Sequence, residues 1–240
     1  MVKFKILGLV GSPRKEANTY RLVKTALEEA ATVPGAEVEI YEMAGKKINH
    51  CIGCHKCGKI FRCVFKDDLM EYMEKYLAAD GIIWGAPVYH MGLPSLMKAA
   101  MDRLPNMMEP FYMKMGTDKP RYSKVCGVMT VGAHRNGGQE IALSQMINSC
   151  LLMNNLVISG MTLAGAYIGV AGYSGQMPDF LARDNVLKDD WALLGAKTTG
   201  KRVAEMTKIV AEGKAILDRN GELPQEYKYR EEPYKWVLPE

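Results

Sequence analysis

The sequence predicts an α/β protein in which a five-stranded parallel sheet carries helices on both faces. Three observations lead there. Five short apolar runs are spread along the 240 residues. Segments whose apolar residues recur at helical spacing separate those runs. Most of the runs lack the polar alternation of a sheet with one wet face, as strands buried on both sides do.

FKILGLVG, from Phe4 to Gly11, is the first strand, and Leu22, Val23, Ala26, Leu27 and Ala30 follow it with the period of a helix. AEVEIYEM, from Ala36, alternates as the second strand. DDLMEYMEKYLAA, from Asp67, reads as a helix whose acidic start suits the positive end of its dipole. GIIWGAPV, Gly81 to Val88, is a wholly apolar third strand, and the helix PSLMKAAMDRL begins at Pro94, a residue tolerated in a first turn. KVCGVMTVG is the fourth strand and Gln139 to Met153 the fourth helix. LVISGMTLA, from Leu156, is the fifth strand, and Trp191 to Val210 is the last amphipathic helix. Residues 1–213 thus make one domain. Residues 214–240, with Tyr227, Tyr229, Tyr234 and Trp236 among charges, are an arm laid on a partner subunit or folded on its own domain.

Composition narrows the class. A formal charge of +4 is too small to argue for nucleic acid, and 48% hydrophobic with 24% charged residues is ordinary for a globular protein. The uncharged stretch from Ile141 to Pro178 is interrupted by Gln145, Asn148, Asn154, Asn155 and Ser159, so it reads as core or subunit interface rather than a membrane span. The opening MVKFKILGLVGSPRK is broken by glycines and meets Arg14 and Lys15 at once, which reads as a cytoplasmic start rather than a signal peptide. In a reducing cytosol, clustered cysteines serve metal or redox chemistry before disulfides.

Ligands of open parallel sheets bind beyond the carboxyl ends of the strands. Three loops meet that rim. GSPRKEANTY opens the first helix, where unpaired backbone N–H groups favour an anion; Ser12, Asn18 and Thr19 add neutral donors and Arg14 a charge. It has neither the G-x-G-x-x-G of a dinucleotide site nor the G-K-[ST] of a triphosphate loop, so a phosphate monoester fits it better, and a plain capped helix is the bland alternative. GAPVYHMGLPS follows the third strand, with Pro87 holding the backbone extended, glycines admitting a flat ligand, and Tyr89 available to stack on it. VGAHRNGGQE brings two glycines to the same rim after the fourth strand. A phosphate at the first loop and a planar ring between the other two describe flavin mononucleotide (FMN). His90 and His134 sit in these loops, but a lone loop histidine is more often a surface residue, and no catalytic acid or base is assigned.

The remaining signal is CIGCHKCGKIFRC. Cys51, Cys54, Cys57 and Cys63 follow the spacing C-x2-C-x2-C-x5-C within a loop spanning residues 50–64. Structural zinc prefers two well-separated pairs, whereas a C-x2-C-x2-C triplet holds three corners of a four-iron cluster, with Cys63 near enough to serve the fourth. Zinc and free redox-active thiols are the alternatives. Gly53 and Gly58 permit tight wrapping. His50, His55, Lys56, Lys59 and Arg62 surround the loop with donors and positive charge, while Cys126 and Cys150 read as buried small apolar residues.

GSPRKEANT, GAPVYHMGLPSLMKAAMDR and RNGGQE resemble the three flavin-binding segments of flavodoxin-like flavoproteins such as the NAD(P)H-dependent FMN reductases and quinone oxidoreductases. With the cysteine spacing included, the chain from about Lys3 to Gly160 is similar to the iron-sulfur flavoproteins of anaerobic archaea and bacteria. The resemblance implies a flavodoxin-like sheet of order 2-1-3-4-5 with the cysteine loop after strand 2, and a homodimer or homotetramer. It implies that Ser12, Arg14, Asn18 and Thr19 hold the flavin phosphate. Pro87, Val88, Tyr89, Met91 and Gly92 would line the ring, and Ala133, Asn136, Gly137 and Gly138 close its other edge. The four cysteines would hold a 4Fe-4S cluster. The function implied is electron transfer from a ferredoxin-like donor through cluster and FMN to a small acceptor, with dioxygen and hydrogen peroxide among the family's acceptors. An NAD(P)H-dependent quinone or FMN reductase with structural cysteines is the first alternative, and a redox-sensing binding module the second. The Leu104–Tyr122 segment, with methionines placed to cover the flavin, and the loop Ala171–Asp179 fall outside the family's pattern.

Overall fold

The computed structural model describes residues 2–60, 62–114, 124–224 and 227, with side chains of residues 107–114 and 162 left out of account. The sheet holds β1 (Phe4–Val10), β2 (Ala36–Glu42), β3 (Gly81–Pro87), β4 (Val125–Gly132), β5 (Leu156–Val157) and β6 (Val170–Tyr173). All pairings are parallel, in the flavodoxin-like order β2-β1-β3-β4-β5. The helices are α1 (Asn18–Ala30), α2 (Cys57–Ile60), α3 (Leu69–Ala78), α4 (Ser95–Lys114), α5 (Gln139–Leu152) and α6 (Asp190–Arg219). Among the described residues no helix is long and apolar enough to cross a membrane.

Both sheet faces are covered, as the unalternating strands required. On one side Leu7, Leu9, Ile82, Trp84 and Val128 pack beneath α3, α4 and α5; on the other Ile6, Val10, Ile83 and Met129 pack beneath α1 and α6. Cys126 and Cys150 are fully buried in the first of these layers, as small apolar residues should be.

α1 and α6 approach backbone to backbone. A Cβ at Gly200 of α6 would lie 2.0 Å from the carbonyl oxygen of Ala26. Gly200→Ala is therefore expected to destabilise the fold, because overpacking costs about 1–3 kcal/mol and outweighs the gain of up to about 1 kcal/mol in helix propensity. Urea unfolding of the two proteins measures the difference.

The fifth strand differs from its expectation. LVISGMTLA was expected to be continuous from Leu156, but only Leu156–Val157 pair with Val125 and Cys126, and the sheet edge resumes at β6, where Val170–Tyr173 pair with Met129–Gly132. Residues 158–169 leave the sheet between the two pieces. Glycine is the physical reason: Gly160 sits where a Cβ would meet Ala166 and Thr199, and Gly169, at φ +137°, turns the chain back against Val128. Arg202 of α6 pins the excursion by donating to the carbonyls of Ser159 and Gly160, both at 3.0 Å.

Two helices run further than expected. α4 continues through Pro105 to Lys114, although that proline has no N–H to give Met101. α6 continues to Arg219, six residues into the expected arm. Most of that arm, and the methionine side chains expected to cover the flavin, lie outside the described residues.

Lys124, just before β4, is buried with its ammonium donating to Leu77 O at 3.0 Å and to Ala79 O. Burial pushes its pKa down from the ordinary 10.5 to about 7. Between those values the unfolded chain binds the extra proton, so this residue makes stability rise as pH increases from about 7, by at most about 1.4 kcal/mol per pH unit. Lys124→Met is expected to flatten that slope in urea titrations between neutral and mildly alkaline pH.

Candidate functional site

The order β2-β1-β3-β4 brings the carboxyl ends of β1, β3 and β4 side by side, and the three loops leaving them share one rim. In the first, Ser12 Oγ stands 3.1 Å from the N of Arg14 and 3.2 Å from its carbonyl oxygen, closing a small turn. Glu16 takes a positive φ of 48°, and its N–H is held by Glu42. α1 then begins at an N-cap, Ala17, that gives no side-chain hydrogen bond, with no acidic residue in the first turn. Its leading N–H groups and dipole suit an anion.

Two of the side chains expected to hold that anion also bond to a distant segment. Asn18 donates to Ala182 O at 2.8 Å and accepts from Val186 N at 2.9 Å; Arg14 donates to Leu181 O at 2.9 Å. Thr19 is buried with its methyl group toward Gly85. The partners of Asn18 and Arg14 belong to the segment after β6, which leaves the sheet at Tyr173, crosses the rim beside the third loop and returns to α1. On the way the Phe180 ring comes 5.3 Å from the ring of His134, and Arg135 lies over Tyr173. Asn185, wholly buried, donates to the carbonyls of Ser174 and Asp179. The Ala171–Asp179 loop thus begins in β6 and leads into a fourth wall of the rim. Its turn-rich YSGQMPD was legible as a loop, but its destination was not.

The second loop is a tight turn. Tyr89 and Gly92 exchange backbone hydrogen bonds at 2.9 and 3.0 Å, while His90 and Met91 between them both take positive φ, 45° and 66°. That is a type I′ geometry normally given to Asn and Gly, and two bulky residues held in it store strain, as functional sites often do. Val88 N donates to Val131 O, and Leu93 N to Gln145 Oε1, so the turn is pinned to β4 and α5. Tyr89 and Met91 remain about half exposed at its tip.

The third loop closes on the second. Gly138, at φ +104°, lies so near that a Cβ on it would stand 2.5 Å from Met91 Cα. Gln139 fixes the loop by accepting from Gly137 N at 2.8 Å and donating to His134 O. Ala133, His134, Arg135 and Asn136 are exposed above it. Pro87 to Gly92 and Ala133 to Gly138 are therefore neighbouring backbone edges on the rim, in close approach where Gly138 meets Met91.

The cysteine loop follows β2 and packs against α4. Cys51, Cys54, Cys57 and Cys63 all line one open pocket of about 360 Å³, together with Phe65 and Arg103. Gly53 and His55 take positive φ, which wraps the backbone around it. Burial pushes the Cys57 thiol up, against the Gly58 N–H, and Cys63 and Cys54 push it the same way. Among the described residues no three His, Cys, Asp or Glu side chains converge closely enough to share one metal ion.

Both ends of the loop are clamped. Asp67 accepts from Asn49 N at 2.8 Å and Asn49 Nδ2 at 3.0 Å, and receives Arg103 bidentately, Nη1 at 2.6 Å and Nη2 at 3.1 Å. Burial works to raise the Asp67 pKa, but Arg103 and Asn49 outweigh it and hold it below the usual carboxylate range. For Arg103 burial works against the charge, and Asp67 and Cys63 outweigh it. Of the side chains expected around the sulfurs, His55 lines the pocket, whereas His50, Lys56, Lys59 and Arg62 are exposed outside it. The guanidinium in the wall is that of Arg103, eight residues into α4, and no local signal near the cysteines points to it.

A buried donor tests whether a thiolate-held group fits here. Arg103 Nε is buried with no hydrogen-bond partner, and the residue lines the same pocket as the four cysteines, with Cys63 acting on its charge. The donor set and this N–H suit a sulfur-rich anionic group.

Residues 4–168 match the family model described as NADPH-dependent FMN reductase. The chain is 37% identical over 206 residues to an iron-sulfur flavoprotein of Methanocaldococcus jannaschii, covering 86% of this chain and 98% of that protein. It is 34% identical to an iron-sulfur flavoprotein of Archaeoglobus fulgidus, covering 84% and 96%. Among solved structures, a flavone reductase superposes with a TM-score of 0.63 at 22% identity, over 86% of this chain and 64% of that longer one, a likeness of fold.

Proposed function

Because the chain belongs to the NADPH-dependent FMN reductase family and groups there with the iron-sulfur flavoproteins, we propose that this flavin oxidoreductase carries a 4Fe-4S cluster as well as FMN. The observation that carries the reading is the gathering of all four spaced cysteines on one pocket whose wall holds an unpartnered N–H. Cys51, Cys54, Cys57 and Cys63 hold the cluster. A single zinc fits less well, since structural zinc takes two well-separated cysteine pairs rather than a C-x2-C-x2-C triplet.

At the rim, the α1 amides with Ser12 and Arg14 receive the flavin phosphate. Asn18 and Thr19 contribute backbone N–H groups there, because the Asn18 carboxamide is committed to residues 182 and 186. Pro87, Val88, Tyr89, Met91 and Gly92 line one edge of the ring, and Ala133, Asn136, Gly137 and Gly138 the other. When bound, a cluster exchanges single electrons and a flavin one or two, so a ferredoxin-like donor can serve a small two-electron acceptor such as dioxygen or hydrogen peroxide. No catalytic acid or base is assigned on the rim.

Arg103 lies eight residues beyond Ser95, about 12 Å down α4 from the rim at 1.5 Å per residue. The cysteine pocket is thus set below the rim of its own chain, and a flavin of a neighbouring subunit is the redox partner of this reading. Exposed Leu151, Leu152, Leu163, Tyr167 and Trp191 support a homodimer or homotetramer. Light scattering is expected to show an oligomer; a fully active monomer would remove the intersubunit relay.

The decisive measurement is iron, acid-labile sulfide and flavin on anaerobically purified protein, with about four irons and four sulfides per chain expected. One zinc without sulfide would overturn the reading. The family description favours a second reading, an NAD(P)H-dependent quinone or FMN reductase with structural cysteines. Rapid bleaching of the flavin by NADPH, unchanged in Cys54→Ser, would establish it instead.

A further inference from the structure

Arg103 offers one donor more than its surroundings answer. Its side chain is 2% exposed, and a guanidinium cannot shed its proton to escape burial. Nη1 donates to Asp67 Oδ2 at 2.6 Å and Asn49 O at 2.9 Å, Nη2 donates to Asp67 Oδ1 at 3.1 Å, and the Phe65 ring lies 5.4 Å away. Nε alone is buried without a partner, and the residue lines the pocket of the four cysteines. A purely structural ion pair has no need to leave one N–H unanswered beside a set of sulfurs, because a buried donor without an acceptor is destabilising.

We propose that Arg103 is a positioning residue that tunes the thiolate-held cluster: clamped by Asp67, it gives its remaining Nε–H to a sulfur of that group, Cys63 Sγ or a bridging sulfide, and so raises the cluster's reduction potential. The inference rests on the iron-sulfur reading of the cysteines. Hydrogen bonds to cluster sulfurs favour the reduced, more negative state. Asp67 has two effects that can be separated. Its charge opposes that of Arg103, so the pair together adds little net field, while its bidentate grip prevents the fork from swinging out to water. The donor bond, rather than net charge, is what remains to act on the cluster.

The test uses anaerobically purified holoprotein in three forms: wild type, Arg103→Lys, and Arg103→Met combined with Asp67→Asn. The lysine variant keeps the ion pair and with it the fold, but loses the planar fork that places Nε. The double variant removes both charges together, so no buried charge is left alone and the net charge is unchanged. Iron and sulfide are assayed in each. The cluster midpoint is read by redox titration followed by electron paramagnetic resonance, and the flavin midpoint by absorbance in the same samples. Retained iron, an unchanged flavin midpoint and a lower cluster midpoint in both variants are expected. Iron-loaded variants with the wild-type cluster midpoint overturn the inference and leave the cluster reading standing. Loss of iron from both variants with flavin retained makes Arg103 a structural support and also overturns it. Wild-type protein without iron and sulfide overturns the cluster reading, and this inference with it.

Discussion

Cys54→Ser is expected to yield protein that retains its flavin and has lost its iron and sulfide. Cys54 is exposed and is not among the residues packed against the core, unlike Cys57 and Cys63, so its replacement leaves the fold intact. A serine oxygen is a poor substitute for thiolate toward iron, since soft thiolate ligands are what select iron-sulfur clusters. The flavin rim is built by the loops after β1, β3 and β4, none of which contacts Cys54 through a hydrogen bond found here, and flavin content should stay near wild type. Iron and sulfide assays with visible absorbance read both centres in one sample. If Cys54→Ser keeps a full complement of iron, Cys54 is not a ligand and the four-cysteine assignment is wrong.

Gly138→Ala is expected to weaken FMN binding about a hundredfold. Two costs coincide at this position. The backbone there has φ +104°, which L residues rarely adopt, and a Cβ would stand 2.5 Å from Met91 Cα and 2.8 Å from Met91 O. Those neighbours are backbone atoms of a turn pinned to β4 and α5, so they cannot give way as a flexible side chain would. Strained φ and overpacking each cost about 1–3 kcal/mol; relief by moving the turn opens the gap between the two ring-lining edges. A loss of about 3 kcal/mol in binding is two decades in affinity. Gly165→Ala is the control, with φ +64° but open space around its Cβ position and no place in the ring-lining edges. Titration of apoprotein with FMN by flavin fluorescence compares the two. Equal affinities in wild type and Gly138→Ala would remove the second and third loops from the flavin site.

Much of the fold was legible because it depends on local pattern. Strands buried on both faces must be almost wholly apolar, and Phe4–Val10, Gly81–Pro87 and Val125–Gly132 meet that demand but for the exposed Lys5 and the buried Thr130. The fifth strand was misread because Leu156–Ala164 reads as one apolar run, whereas Gly160 within it and Gly169 beyond it carry the chain out of the sheet and back, and only pairing with β4 reveals the break. The same limit applied at the site. The cysteine spacing and the three glycine-rich loops are written in contiguous residues, so they could be read in one pass.

What sequence determined by itself was the pattern: four closely spaced thiols, a turn opening a helix, and two glycine-bearing loops on a parallel sheet. Tertiary structure alone decided who stands next to whom. It put Arg103 rather than the neighbouring lysines at the sulfurs, clamped it with Asp67, and committed Asn18 to a segment arriving from residues 179–186. The reason is that a side chain's direction depends on which helix face packs on the sheet and which distant loop reaches it, and those are settled by burial across the whole domain, not by the residues on either side.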